Sequence, residues 1–119
     1  MIYVIRTSKS KLYEKYLLAL NGTLKLSPKE ITILAEFMRY NEEYSKDPEL
    51  VFSAPIRKKI QKDLDMSPAE LNNYIKYLKN KKVVEEHQSG IRINKAIIPT
   101  ITKEDKIETC NIRFKFVIE

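Results

Sequence analysis

The stretch DLDMSPAELNNYIKYLKNKKVVEEHQSGIRIN, from Asp63 to Asn94, decides how the chain is organised. It begins at the end of one amphipathic helix, and a second helix starts a few residues later. Ser67-Pro68-Ala69-Glu70 is a capping box with proline at the first helical position, and the helix is predicted to end near Asn80. The apolar residues of this helix recur at helical spacing and are predicted to be core: Leu71, Tyr74, Ile75 and Leu78.

After Asn80 the hydrophobic pattern changes from a helical period to short β-type runs. Val83 to His87 reads as one strand and Ile91 to Asn94 as the returning strand. Gln88-Ser89-Gly90 between them has the composition of a tight turn. The stretch therefore predicts a β-hairpin directly after the helix.

The helix that precedes the turn at Asp65-Met66 starts near Pro55, with Ser53 or Ala54 as its capping residue. Its apolar residues recur every four positions and form one narrow stripe. Leu50 to Ser53, just before it, reads as a very short strand. The stripe consists of Ile56, Ile60 and Leu64.

An earlier helix is predicted from the capping box at Ser27 to about Glu43, followed by a polar loop around Pro48. Its apolar face is wide, so this helix is expected to be well buried. The residues on that face are Ile31, Ile33, Leu34, Ala35, Phe37, Met38 and Tyr40.

The N-terminal region predicts a strand at Met1 to Arg6 and a helix from Ser10 to Leu20, stopped by Asn21-Gly22. At the other end of the chain, Asn111 to Glu119 alternates apolar and polar residues and predicts a half-buried strand. We expect these two strands to pair with each other, or the C-terminal strand to pair with another subunit. Cys110 is expected to be a packed strand residue.

Length, composition and net charge limit the classes of protein to which this chain can belong. The chain has 119 residues, 43% hydrophobic and 32% charged, which suits one globular domain over residues 1–119. No apolar run is long enough for a membrane span, and a single cysteine excludes an internal disulfide, so we expect a cytoplasmic protein with no membrane partner. The net charge is +6, and residues 55–82 hold eight bases against three acids. Such a basic segment favours a polyanionic partner.

Little in the sequence suggests an enzyme, a metal site or a cofactor. His87 is the only histidine and Cys110 the only cysteine, which is too few for a zinc cluster. With only Gly22 and Gly90 there is no glycine-rich loop to hold a phosphate. No small-molecule ligand is evident either. The tyrosines at 13, 16, 40 and 44 lie at helical spacing and are expected in the core or at an interface.

The predicted order helix, short strand, helix, helix, strand, turn, strand over residues 27–94 resembles the winged helix-turn-helix family. The apolar residues around the turn support the resemblance, because two helices that meet at a steep angle must both face the first helix. Gln61 and Asp65 depart from the small residue and the glycine of many members. The resemblance implies an α+β fold with a winged-helix core at 27–94, an added strand and helix at 1–26, and a β extension at 95–119. The supporting residues are Ile60, Leu64, Met66, Leu71 and Tyr74.

In this family the second helix of the unit enters the major groove of double-stranded DNA. The resemblance therefore implies base reading by the outward stripe of the helix Pro68 to Asn80, through Asn72, Asn73, Lys76 and Asn80. It also implies phosphate contacts from the helix N-terminus, the preceding helix and the start of the hairpin. The predicted phosphate-binding residues are Ser67, Arg57, Lys58, Lys59, Lys62, Lys79, Lys81, Lys82 and Arg92.

Other functions stay open at this point. Polar residues opposite an apolar stripe are what any solvated helix shows, and winged helices also serve as protein–protein modules. The expected function is a sequence-preferring DNA-binding protein, a transcriptional regulator that forms homo-oligomers or a larger assembly. One alternative is a phage virion or DNA-packaging component that uses the winged helix for assembly, since the chain resembles small phage-encoded proteins; its location would then be the host cytoplasm or the virion. A second alternative is a replication initiator module.

Overall fold

The structure, a computed structural model, describes residues 2–44, 52–87 and 90–119, and their side chains except those of 42–44 and 87. The described residues form an α+β arrangement of four α-helices followed by two β-hairpins. A 3₁₀ turn precedes the first helix at Lys9–Lys11, and another precedes the second hairpin at Lys95–Ile97. The main elements are α1 Leu12–Leu24, α2 Pro28–Tyr44, α3 Ala54–Asp63, α4 Pro68–Asn80, β1 Val84–His87, β2 Gly90–Ile93, β3 Ile101–Glu104 and β4 Ile107–Cys110.

Three helices begin at the serine caps that the sequence predicts. The Ser27 and Glu30 side chains of α2 bond each other's backbone NH groups, and in α4 the Ser67 Oγ accepts from Glu70 N at 3.1 Å. Ser53, not Ala54, caps α3. These contacts satisfy NH groups that a helix start otherwise leaves without partners.

The turn between α3 and α4 is a Schellman motif without glycine. Met66 N donates to Gln61 O at 2.9 Å and Asp65 N to Lys62 O at 3.4 Å, while Asp65 takes a left-handed φ of 52°. The end of α4 repeats this motif with Lys82 at a φ of 62° and a bond from Val83 N to Leu78 O at 3.2 Å. Asp65 can take this conformation in place of glycine because aspartate tolerates the left-handed region better than most residues.

Helix α2 lies at the centre of the core and contacts α1, α3 and α4. Its wide apolar face is buried as predicted, and Phe37 is fully buried with its ring centroid 3.5 Å from that of Phe52. Leu71 and Leu78 of α4 are also fully buried, which confirms the predicted phase of that helix. Tyr74 and Leu64 are only half-buried at the edge of the same cluster.

The first hairpin is confirmed with a shift of one residue. Strand β1 pairs antiparallel with β2, with Val84 opposite Ile93 and His87 opposite Gly90. The predicted turn residues 88 and 89 lie outside the described residues, and so do Leu50 and Val51 of the predicted short strand. Phe52 and Ser53 form no strand.

Helix α1 is longer than predicted. It continues through Asn21-Gly22 and ends where Lys25 adopts a left-handed φ of 57°, with its NH bonded to Asn21 O at 2.9 Å. The Asn21 side chain bonds both the NH and the carbonyl of Leu26. Asn21 therefore holds the link after the helix and does not itself end the helix.

The two predicted terminal strands are wrong for this chain on its own. Residues 2–6 and 111–119 have no strand structure, and their side chains are exposed. A strand needs a partner for its backbone groups, and neither segment pairs with any strand among the described residues. The C-terminal region instead forms a second hairpin, β3–β4, which turns at Asp105-Lys106. Cys110 ends β4 but is exposed, contrary to the expectation that it is packed.

Polar contacts join the region around α1 to the C-terminal part of the chain. The Tyr16 hydroxyl donates to Ile97 O at 2.7 Å, and Lys9 forms an ion pair with Glu108 of β4. Burial and the neighbouring Cys110 raise the pKa of Tyr16 to about 12. Of the other tyrosines placed at helical spacing, Tyr13 and Tyr40 are buried, and the side chain of residue 44 lies outside the description.

Candidate nucleic-acid interface

Helix α4 is oriented by its buried side. Leu71, Ile75 and Leu78 are in the core, and the helix contacts α2, α3 and β1 through that side. The opposite side of a helix must then face solvent, because residues three and four apart share a face. The capping box and the Schellman motif hold both ends of α4, so its outward face is presented by a helix with defined ends.

The four predicted base-reading residues lie together on that outward face. Asn72, Asn73, Lys76 and Asn80 are all exposed, as is Ala69 in the same stripe. None of the four side chains makes a hydrogen bond or an ion pair to the part of the chain that the structure describes. Their donors and acceptors are therefore available to a partner.

Helix α3 contributes a second set of basic residues. Lys58 and Lys62 are exposed, lie one turn apart, and have no ion-pair partner within the described ranges. Lys59 lies 5.7 Å from the centroid of the Tyr40 ring, so it packs toward α2. Arg57 is half-buried, and its Nε is buried without a hydrogen-bond partner in the described part of the chain.

Two of the predicted basic residues near the hairpin form ion pairs with glutamates of the hairpin. Lys79 pairs with Glu86, and Arg92 Nε lies 2.9 Å from Glu85 Oε1. Both are surface pairs on the hairpin side, and such pairs contribute little to stability because water and salt screen them. Lys82, by contrast, is exposed and makes no ion pair with any described residue.

Ser67 is used by its own helix. Its hydroxyl accepts from Glu70 N and lies 3.3 Å from Glu70 Oε1. The Glu70 carboxylate already sits at the positive end of the helix dipole, where the sequence places a phosphate. The predicted phosphate contact at Ser67 would have to compete with this carboxylate.

Lys81 makes the most buried ion pair of the region. Its Nζ lies 2.7 Å from Glu30 Oε1 and 3.0 Å from Lys25 O, which joins the end of α4 to the start of α2. Burial alone would raise the pKa of the Glu30 carboxyl, but the hydrogen bonds from Lys81 and Ser27 outweigh it and the pKa is lowered. Lys81 thus has a structural role that the sequence did not reveal.

The lowered pKa of Glu30 predicts a loss of stability in acid. A carboxyl with a depressed folded-state pKa stabilises the fold above its unfolded value of about 4.3, and the contribution disappears as the pH falls through the folded value. We expect Glu30→Gln to lower the free energy of unfolding by about 1–3 kcal/mol at pH 7. The difference from the parent should shrink as the pH falls below about 4.3.

Urea titrations at neutral and acidic pH measure this effect. Glu70→Gln is the matched control, since Glu70 holds the same position in the capping box of α4 but is exposed. Its substitution should destabilise the protein less than Glu30→Gln at pH 7. A Glu30 variant whose destabilisation is the same at both pH values would contradict the assigned ion pair.

Tyr77 is a candidate that sequence reasoning missed. It is 51% exposed beside Lys76, and its ring packs edge-on against Tyr74 with the centroids 6.1 Å apart. An exposed aromatic ring on the flank of a polar helix face can pack against a sugar or a thymine methyl group. The available signal was its position four residues after Asn73, at the border of the outward stripe.

No group of three or more histidine, cysteine, aspartate or glutamate side chains within the described ranges could hold a metal ion. In the same ranges, none of the helices is both long enough and apolar enough to cross a membrane. Comparison of the chain with protein-family models, with curated proteins and with solved structures found no match.

Proposed function

We propose that this protein binds double-stranded DNA with a preference for sequence, and that α4 is the helix that reads the major groove. In this proposal α2, α3 and α4 are the three helices of a winged helix-turn-helix, and the β1–β2 hairpin is its wing. The order of the elements and the contacts of α2 with both α3 and α4 support it. The short turn with buried Met66 also suits such a unit.

One observation carries the proposal. The four polar residues of the α4 outward face are exposed and without partners in the described structure, and the free lysines Lys58 and Lys62 lie on α3, the helix that precedes it. Polar side chains available for direct bonding can read base edges, while lysines hold the phosphates. The excess of bases over acids makes residues 55–82 positively charged, as binding to the phosphates of DNA requires.

The proposal assigns different tasks to these residues. Asn72 and Asn73 are placed to exchange hydrogen bonds with adenine edges, and Lys76 with guanine or with a phosphate. Asn80 extends the same stripe by one turn. Lys58, Lys62 and Lys82 form the phosphate-binding set, since the other predicted members are already engaged in pairs, a cap or packing. The wing, where Glu85 and Glu86 neutralise Arg92 and Lys79, has at most a minor part.

A transcriptional regulator is the biological role that fits sequence-preferring duplex binding. The exposed apolar residues at both termini favour a second candidate, a component of a larger assembly such as a virion or a packaging complex. A regulator should bind duplex DNA in isolation, whereas an assembly component should not. Binding to random-sequence duplex at low salt, followed by selection from a random pool, therefore separates the two.

Replacing the asparagines tests the reading helix. We expect Asn72→Ala and Asn73→Ala each to relax preference at the base pair that the side chain contacts, by roughly 1–3 kcal/mol for a lost bidentate contact. Selection of preferred sites from a random pool measures this for the parent and both variants. Thr23→Ala is the control, because Thr23 is exposed and lies on α1, outside α4. If parent and variants select the same sites, α4 does not read the DNA.

A further inference from the structure

Exposed apolar side chains are concentrated in two short segments. We call residues 2–6 the N-terminal segment and residues 111–119 the C-terminal segment. Among the described residues only three other large hydrophobic side chains are exposed: Leu18, Tyr77 and Ile107. The exposed fractions in the two segments are large: Ile2 90%, Tyr3 78%, Val4 80%, Ile5 52%, Ile112 43%, Phe114 56%, Phe116 86%, Val117 78% and Ile118 94%.

The two segments leave the folded part of the molecule at neighbouring points. Lys9, three residues after the N-terminal segment, pairs with Glu108. Glu108 lies three residues before the C-terminal segment begins, on β4. The chain of the N-terminal segment runs toward this junction, and the chain of the C-terminal segment runs away from it. Laid side by side, the two segments would therefore pair as antiparallel strands.

One copy of the chain cannot make a stable sheet from these segments. A two-stranded ribbon is only marginally stable in water without a third strand or a helix to pack on. The strands of β1–β2 and of β3–β4 are neighbours in the chain, whereas residues 2–6 and 111–119 are far apart in it and lie exposed. Two copies would supply four strands. This difference explains why two segments with strong β-type sequence have no strand structure in a single chain, and it selects a second copy of the chain as the partner.

We propose that the protein forms a two-fold symmetric dimer in which the C-terminal segment pairs antiparallel with that of a second copy, each flanked by its own N-terminal segment. Charge complementarity between the two C-terminal segments selects the register of their pairing. Centred on Lys115, the pairing would set two lysines opposite each other, which is unfavourable. Centred on Phe116, it sets Arg113 opposite Glu119 twice and Phe114 opposite Ile118 twice, and it leaves the two Phe116 side chains adjacent at the axis.

Pairing across the axis also brings apolar side chains together. Phe114, Phe116 and Ile118 of one copy then lie beside those of the other on the same face of the sheet, and such cross-strand apolar pairs stabilise a sheet. The inference does not depend on DNA binding, and its test contains no DNA.

Sedimentation equilibrium of the full chain over a range of protein concentrations tests the dimer. We expect the parent to be a dimer and Phe116→Ser to be a monomer that keeps the helical signal in far-ultraviolet circular dichroism. Arg113→Glu and Glu119→Arg should each weaken the dimer on the order of tenfold, because each makes two cross-strand pairs like-charged. The double variant Arg113→Glu with Glu119→Arg should restore the parent affinity at the parent net charge.

Several results would overturn the proposal. They are a monomeric parent, a Phe116→Ser variant that stays dimeric, an assembly larger than a dimer, or a double variant that is no tighter than the single ones. A monomeric parent that sediments with phosphatidylcholine or phosphatidylserine vesicles would assign the segments to a lipid surface instead. Arg113→Glu lowers the net charge of the chain and Glu119→Arg raises it. A general electrostatic repulsion between copies would therefore change the two affinities in opposite directions, whereas loss of the cross-strand pairs weakens both.

Discussion

Phe37→Ala is expected to lower the free energy of unfolding by about 3–5 kcal/mol, the cost of removing a fully buried aromatic side chain. Phe37 is 0% exposed on α2, the helix that contacts α1, α3 and α4. Its ring also packs on Phe52, which precedes the cap of α3. A domain has only about 5–15 kcal/mol of net stability, so the variant should lose a large part of it.

Urea denaturation monitored by circular dichroism measures this loss. Leu18→Ala is the control, since Leu18 lies on α1 and is 48% exposed, and its truncation should change the midpoint little. A Phe37 variant destabilised by less than about 1 kcal/mol would mean that α2 does not hold the other three helices together.

Lys58→Glu combined with Lys62→Glu is expected to lower affinity for duplex DNA of every sequence on the order of 100-fold at moderate salt. Each lost phosphate contact removes about 0.9 from the slope of log K against log salt, so the double variant should flatten that slope by about 2. Base preference should stay the same, because contacts to phosphates position the protein and do not specify the site.

Titration of one duplex at several salt concentrations gives both quantities. Lys11→Glu with Lys15→Glu is the matched control: it makes the same charge change at the same spacing, on exposed residues at the start of α1. The control should alter affinity far less than the α3 variant. If both double variants weaken binding equally, net charge and not the α3 surface explains the effect.

The two proposals make a joint prediction about geometry. A two-fold dimer carries two α4 helices, and dimeric helix-turn-helix proteins bind half-sites about 34–36 Å apart on one side of the duplex. Sites selected by the parent should then be palindromic, while those selected by Phe116→Ser should be half as long. If Phe116→Ser selects the half-site but not the palindrome, the dimer contact determines how half-sites are arranged and α4 determines the sequence of each.

Local interactions made most of the helical fold predictable from the sequence. The caps at Ser27, Ser53 and Ser67 act within three residues, and so the sequence alone determined where α2, α3 and α4 begin. The buried faces followed from helical spacing, because a helix carries its apolar residues on one side whatever it packs against. The outward stripe of α4 was predictable for the same reason, since it is what remains after Leu71 and Leu78 are buried.

Contacts between distant residues were decided only by the tertiary structure. The Glu30–Lys81 pair joins residues far apart in the chain, and nothing in the sequence indicated that Lys81, a predicted phosphate-binding residue, makes this internal contact. The continuation of α1 past Gly22 depended on Lys25 accepting a left-handed conformation, for which the sequence had no signal. The terminal segments show the same limit most directly. Alternation gives Asn111 to Glu119 the character of a strand, but a strand forms only where another backbone bonds to it, and which backbone does so is a property of the assembled molecule.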